Sequence, residues 1–223
     1  MPAILFGSIS SLADTSELQR RAFNEAFEAH GLDWNWSRDE YSSLLGSNGG
    51  QDRIADYASE RGVEVDAAEV HATKSSIFQA LLSTAGVSPR AGVLDTVELA
   101  KNEGISLGFV TTTSAENVAA LLSALSPDIS ADTFDIVIDK SDVAEVKPDP
   151  AAYLYVLDQL GEDAANVVAI EDNIGGVAAA NAAGVACIAF PNQNTADSDF
   201  SSATTTVDTL DADTVLAFVK ETA

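Results

Sequence analysis

The chain is 223 residues long and 46% hydrophobic, with 35 acidic against 11 basic side chains and a formal charge of −24. That length and apolar content support one full-sized core plus a smaller insert and exclude a disordered chain, while the charge disfavours nucleic acid and anionic membrane as partners. A lone Cys187 excludes an internal disulfide, Met1 to Phe6 lacks the basic flank and long apolar region of a signal peptide, and no run approaches the ~20 apolar residues of a membrane span, so a cytoplasmic chain is expected.

Ala3 to Phe6 is a short apolar run stopped by Gly7, and it reads as a buried strand. Residues 16–86 then carry only helical periodicity. Leu18, Ala22, Phe23, Ala26 and Phe27 share one helical face that ends at Gly31, and Arg38 to Leu45, Gln51 to Glu60 and Ala67 to Ala85 are further helices around a Gly49-Gly50 turn. From Gly92 onward helix and strand alternate. The helices are Gly92 to Asn102, Ala115 to Leu125, Pro150 to Leu160 and Gly175 to Ala183, and the strands are Leu107 to Val110, Phe134 to Ile138, Val167 to Ile170 and Val185 to Phe190. Ser201 to Val207 reads as a Ser/Thr-rich loop, and Asp211 to Lys220 closes the chain as a helix. The alternation predicts an α/β fold, a Rossmann-like doubly wound parallel sheet. Residues 1–15 and 87–223 form its core, with a helical cap over 16–86 inserted after strand one.

In such a sheet ligands sit beyond the carboxyl ends of the strands. Thr111-Thr112-Thr113-Ser114 follows the second strand and leads into a helix, so Thr111 and Thr112 offer hydroxyls and helix amides to an anion, unless the group serves only to cap the helix. Lys147, in Lys147-Pro148-Asp149-Pro150, is a point charge suited to phosphate. Glu171-Asp172 follows the fourth strand as a carboxylate pair suited to a hard cation such as Mg²⁺.

Each cluster alone is common, but their order and spacing resemble the haloacid dehalogenase superfamily. The similarity is to the branch of β-phosphoglucomutase, phosphoglycolate phosphatase and the Calvin-cycle sugar bisphosphate phosphatases. Val110 to Ser114 resembles the second family motif, Val146 to Pro150 the third, and Ile170-Glu171-Asp172 with Gly175 to Ala180 the fourth; Trp34 to Arg38 and Gly49 to Ile54 are similar to the bisphosphate phosphatases. The resemblance implies a first motif of the form Asp-x-Asp-Gly-Thr. Here the chain reads Phe6-Gly7-Ser8-Ile9-Ser10-Ser11-Leu12, with Asp14 to Glu17 keeping the register. Gly7 therefore takes the nucleophile position and Ile9 the acid/base position, and neither replacement can attack phosphorus or carry a proton.

The family implies Mg²⁺, which is expected to be weakly bound or absent with Asp172 as the main carboxylate left. Lys147 is expected to pair with Asp172 directly or around water, and an anion to dock on Thr111, Lys147 and the amides after strand one. Ser8 is expected to point away from the face of positions 7 and 9, and no histidine base is within sequence reach of Ser8, Ser10 or Ser11. In the cap, Gln19 and Gln51 stand where relatives carry basic groups. Glu17, Arg38, Arg53 and Lys74 are the remaining substrate-contact candidates, although each of the three cations also reads as a solvated helix residue. His30 and His71 carry no catalytic case, and Trp34, Trp36 and Tyr41 read as cap packing.

Three functions follow. The first is a catalytically defective phosphatase relative, an anion-binding pseudoenzyme for phosphate or a phosphorylated small molecule. The second is an active phosphohydrolase with a non-standard nucleophile, and the third an acidic protein-interaction module.

Overall fold

Five short apolar runs and a threonine pair form a six-stranded, all-parallel sheet in the computed structural model, which describes residues 1–45 and 49–220. The strands are β1 (Ala3–Phe6), β2 (Ser106–Val110), β3 (Ile136–Ile138), β4 (Val167–Glu171), β5 (Ala186–Ala189) and β6 (Thr205–Thr206), in the order β3-β2-β1-β4-β5-β6. β1 is central, with Ile4 opposite Leu107 and Val168, and Phe6 opposite Phe109 and Ile170. Successive side chains leave a strand on opposite faces. Ile4, Phe6, Leu107, Phe109, Val168 and Ile170 thus enter one apolar cluster, while Ala3, Leu5, Val167, Ala169 and Cys187 enter another. Burial on both faces explains why these strands read as continuous apolar runs.

The helices are α1 (Ile9–Leu12), α2 (Ser16–Ala29), α3 (Arg38–Leu44), α4 (Gly50–Arg61), α5 (Ala67–Ala85), α6 (Val93–Glu103), α7 (Ala115–Leu125), α8 (Ala151–Leu160), α9 (Ile174–Ala182) and α10 (Ala212–Lys220). α6, α7 and α10 cover the Ile4 face of the sheet, and α8 and α9 cover the other. Between β1 and β2, α2 to α5 wrap a third cluster of Phe23, Phe27, Trp36, Tyr41, Ile54 and Tyr57. The indole of Trp36 meets Phe27 edge-on at 4.6 Å, so the aromatic residues do pack this helical layer. α5 joins the layers, because Phe78, Leu81 and Leu82 near its end belong to the cluster against the sheet. No described helix is long and apolar enough to cross a membrane.

Three local expectations change. β3 starts at Ile136 rather than Phe134, because Phe134 closes a 3₁₀ turn and the Asp135 carboxylate accepts from the Leu107 amide at 2.8 Å. Thr205–Thr206 is a sixth strand where a loop was expected, paired with Ile188 and Ala189. Residues 9–12 are helical, not extended, with Ser8 as N-cap, so alternation along a strand does not apply to Ser8.

Candidate functional site

The carboxyl ends of β1, β2 and β4 meet at Lys147. Its Nζ donates to the carbonyls of Gly7 at 2.5 Å and Val110 at 2.7 Å, and to Glu171 Oε1 at 2.7 Å. The Tyr153 hydroxyl lies 3.3 Å away, and the ammonium sits 4.4 Å from the centroid of that ring. An ammonium carries three donors, so Lys147 is fully engaged. Tyr153, one turn into α8, donates to the same Glu171 Oε1 at 2.7 Å.

Glu171 is wholly buried, and its Oε2 has no hydrogen-bond partner. Burial pushes its carboxyl up, with Lys147 opposing and the neighbouring Asp172 adding to the rise. Burial, and then the Glu171 charge, likewise raise the Tyr153 phenol. The carboxylate lies between two glycines. A Cβ on Gly7 would stand 2.2 Å from Glu171 Oε1 and 2.3 Å from the Tyr153 hydroxyl, and one on Gly176 would stand 2.1 Å from Glu171 Cδ. Glu171 therefore occupies the space a side chain at position 7 needs. Ile9 is buried in the apolar cluster beneath the sheet.

The serines of the β1–α1 segment are engaged locally. Ser8 Oγ accepts from the Ser11 amide at 3.0 Å, Ser11 Oγ donates to the Ser8 carbonyl at 2.7 Å, and Ser10 Oγ shares a hydrogen bond with Thr15 Oγ1 at 3.1 Å.

Asp172 does not pair with Lys147 as expected. Consecutive residues at a strand end face opposite ways, so Glu171 meets the lysine while Asp172 accepts from Asn173 Nδ2 at 2.7 Å and Asn192 Nδ2 at 2.5 Å. These contacts occupy both oxygens of Asp172 and one of Glu171. Among the described residues no three His, Cys, Asp or Glu side chains converge on a common point. A hard cation needs several free oxygen donors, so the donor set as arranged does not fit Mg²⁺.

Thr111 is buried, and its hydroxyl accepts from the Thr113 amide at 3.2 Å; Thr112 is half-buried beside it. Thr113 Oγ1 accepts from Asn117 Nδ2 at 3.0 Å, and Ser114 caps α7 through the Asn117 amide. The capping reading of this segment is therefore realised, with Thr111 held at the start of the turn next to the carbonyl that Lys147 grips.

In the helical layer two of the three cations depart from a solvated role. Arg53 is buried, with Nε donating to the Leu44 carbonyl at 2.9 Å. Lys74 is buried, donates to Gln19 Oε1, and lies 4.7 Å and 5.1 Å from the ring centroids of Phe23 and Phe78. Burial, and then repulsion from Arg53, push Lys74 down to about 7. Half-buried His71 falls to about 4 through burial and the charges of Lys74, Lys140 and Arg53. Arg53 and Lys74 are thus the cationic side chains at this place in a very acidic chain, with His71 held neutral beside them near pH 7. Arg38 is exposed but grips the core, donating to Asn194 Oδ1 at 3.1 Å and to the Gln193 carbonyl. Burial raises Glu17, but hydrogen bonds from Arg20 and Asn194 with the charges of Arg20 and Arg38 outweigh it and leave the carboxyl lowered.

Sequence reasoning missed Tyr153 and the segment Asn192 to Thr195. Tyr153 shares its buried face with Val156 and Leu157, a helical spacing that made it look like plain core. The turn-forming run Asn192-Gln193-Asn194-Thr195 follows β5 after Phe190-Pro191, so the rule that ligands gather beyond strand ends would have drawn attention to it.

The profile of the haloacid dehalogenase-like hydrolases matches residues 10–190. Protein CbbY of Cereibacter sphaeroides is 39% identical over 204 residues, 90% of this chain and 89% of that protein. The crystal structure of CbbY from Rhodobacter sphaeroides in complex with phosphate superposes with a TM-score of 0.85 at 37% identity, covering 99% of this chain and 96% of that one. A mutant of that protein in complex with xylulose-(1,5)bisphosphate has the same score, identity and coverage. With the family profile matched over most of the chain and a relative of 39% identity over 90% of it, the chain belongs to the haloacid dehalogenase-like hydrolase family, in the branch that contains the CbbY proteins.

Proposed function

We propose that this chain binds a phosphorylated sugar between its helical cap, residues 16–86, and its core without hydrolysing it. The observation that carries the reading is the place of Glu171. Its carboxylate fills the space beside Gly7 and engages Lys147, so no side chain at position 7 is present to receive a phosphoryl group. Ile9, packed in the core, offers no proton to a leaving oxygen. The donors Glu171 and Asp172 are engaged by protein groups, so Mg²⁺ binding is weak.

Binding has separate support. Arg53 and Lys74 supply cationic side chains in the helical layer, Lys74 only part-protonated near neutral pH. The relatives of known structure hold phosphate and a sugar bisphosphate. An anion next to Lys74 favours its charged form, so binding near neutral pH takes up a proton.

Calorimetry with xylulose 1,5-bisphosphate and with inorganic phosphate, with and without Mg²⁺, tests the proposal alongside a phosphate-release assay. The bisphosphate should bind with an affinity indifferent to Mg²⁺, and its enthalpy should vary with the ionisation heat of the buffer. Phosphate release above background that is abolished in a Ser8→Ala protein would establish an altered nucleophile instead. Absence of any binding would remove the ligand from the proposal.

A further inference from the structure

Asp172 lies at the end of β4, in a position suited to chemistry, yet both of its oxygens hold neighbouring carboxamides. One of these belongs to Asn192, which organises the loop after β5. Asn192 Oδ1 accepts from the amides of Asn194 at 2.8 Å and Thr195 at 3.1 Å. Thr195 Oγ1 donates to the Asp172 carbonyl at 2.6 Å and accepts from the Asn192 amide at 2.9 Å. Asp172 thus anchors this loop through its side chain and its backbone together.

The core pins the loop from two further directions. Arg90 donates to the carbonyls of Phe190 at 2.8 Å and Pro191 at 2.5 Å. Asp14, at the junction between α1 and α2, accepts from the Gln193 amide at 2.9 Å through one oxygen, and from the Ser16 amide at 3.0 Å and hydroxyl at 2.6 Å through the other. The same carboxylate therefore ties the loop to the first residue of the helical layer.

What this anchored loop presents outward is taken up by that layer. Arg38, at the start of α3, reaches across 156 positions of sequence to Asn194 Oδ1, and its second nitrogen reaches the Gln193 carbonyl. Asn194 also helps to lower the carboxyl of Glu17 in the first turn of α2, and Asn194 Nδ2 and Glu17 Oε1 are both buried without a hydrogen-bond partner. Asn192, Asn194 and Thr195 are all at most 5% exposed beneath these contacts. A planar guanidinium fork matched to two acceptors on a rigid loop fixes orientation as well as distance.

We propose that Arg38 and Asp172 are the two ends of a latch that holds the helical layer closed on the sheet, with Asn192 to Thr195 as its rigid catch. Asp172 is a positioning residue in this device: it acts on the cap through the loop. The latch is independent of whether the enclosed space binds a sugar phosphate.

Spin labels at the exposed Glu60→Cys in α4 and Glu98→Cys in α6 report the separation of the two layers, since Cys187 is buried and unlabelled. The otherwise unchanged chain should give one narrow distance distribution. Arg38→Ala and Asp172→Asn should each add a longer population, and Arg38→Lys, which lacks the fork, should resemble Arg38→Ala. Asn192→Ala removes the same anchor while leaving Asp172 intact, and it replaces Asp172→Asn if that protein does not fold. Amide exchange at 192–195 should rise about 2- to 12-fold for each hydrogen bond lost. Unchanged distances in the Arg38 variants overturn the latch. Broadening in the Arg38 variants alone overturns the part assigned to Asp172, and broadening in the anchor variants alone reduces the loop to a feature of the core.

Discussion

At the scale of single residues, Gly7 and Glu171 behave as one unit. Adding a side chain at position 7 forces Glu171 and the Tyr153 hydroxyl, 2.2 Å and 2.3 Å from the new Cβ, to move. Gly7→Asp alone should therefore lower stability by about 1–3 kcal/mol, through overpacking and a second buried carboxylate. In a Glu171→Ala background the same substitution should cost far less, because the new carboxylate has room and takes Lys147 as its partner. Chemical denaturation of the four proteins in this cycle measures the coupling, and purely additive effects would refute the shared space. Lys74 gives a second test, with a sign fixed by its surroundings. Its folded value of about 7 lies below its ordinary 10.5, so between these pH values the unfolded chain binds a proton that the folded chain does not. Stability attributable to this residue thus rises with pH across that window and is lost as pH falls through it. Lys74→Met should exceed the parent chain by on the order of 2–4 kcal/mol at pH 6, with the gap closing by pH 10.5; a gap independent of pH would show that burial does not perturb the amine. That Gly7, Lys147 and Glu171 lie at strand ends was legible in the sequence, because each directly follows or closes an apolar run or sits in a motif of fixed order. The partner of Lys147 was not, since one residue of strand register decides whether Glu171 or Asp172 faces it.

At the scale of elements, the parallel strands were legible because both of their faces are buried, and each therefore appears as an unbroken apolar run. β6 has two threonines and no such run, and α1 is a single turn held by a capping box, so neither produces a periodic signal. Gly92 was legible only as a helix boundary, and the structure supplies its reason. It starts α6 at φ +83°, and a Cβ there would stand 1.9 Å from the Leu210 carbonyl oxygen, where the chain enters α10. The Leu210 amide in turn donates to the Ala91 carbonyl at 3.2 Å, so backbone meets backbone on both sides. Gly92→Ala combines a left-handed conformation with a contact that no rotamer change relieves. It should cost about 2–4 kcal/mol, read as a lower urea midpoint, and should loosen α10 from α6. An alanine tolerated within 0.5 kcal/mol would mean that this turn readily rearranges.

At the scale of the whole molecule, the charge is less balanced at the surface than the sequence total of 35 acidic and 11 basic side chains suggests. Arg53, Lys74, Lys147 and Arg90 direct their charge inward to carbonyls, rings and one buried carboxylate. The side-chain ion pairs that remain near the surface, such as Arg20–Glu17, Arg21–Glu25 and Arg61–Glu40, are partly solvated and individually weak. Repulsion among exposed carboxylates is then the long-range term that ionic strength controls, because the Debye length falls from about 10 Å at 0.1 M to about 3 Å at 1 M salt. α4 shows the effect locally. Asp52, Asp56 and Glu60 are all exposed and stand four residues apart, so each neighbouring pair carries like charge on one helical face. Like pairs at this spacing destabilise by about 0.2–0.5 kcal/mol each, and Asp56→Lys converts both into attractive pairs. The thermal midpoint of the parent chain should climb between 0.05 M and 1 M KCl, and Asp56→Lys should raise it most at the low end and flatten its dependence on salt. Sucrose, which strengthens burial without screening charge, serves as the control. A midpoint that responds to sucrose but not to KCl would show that the acidic surface carries no measurable repulsive cost. The predicted response to KCl instead makes ionic strength a variable that must be fixed before any comparison of ligand binding or latch opening in this chain.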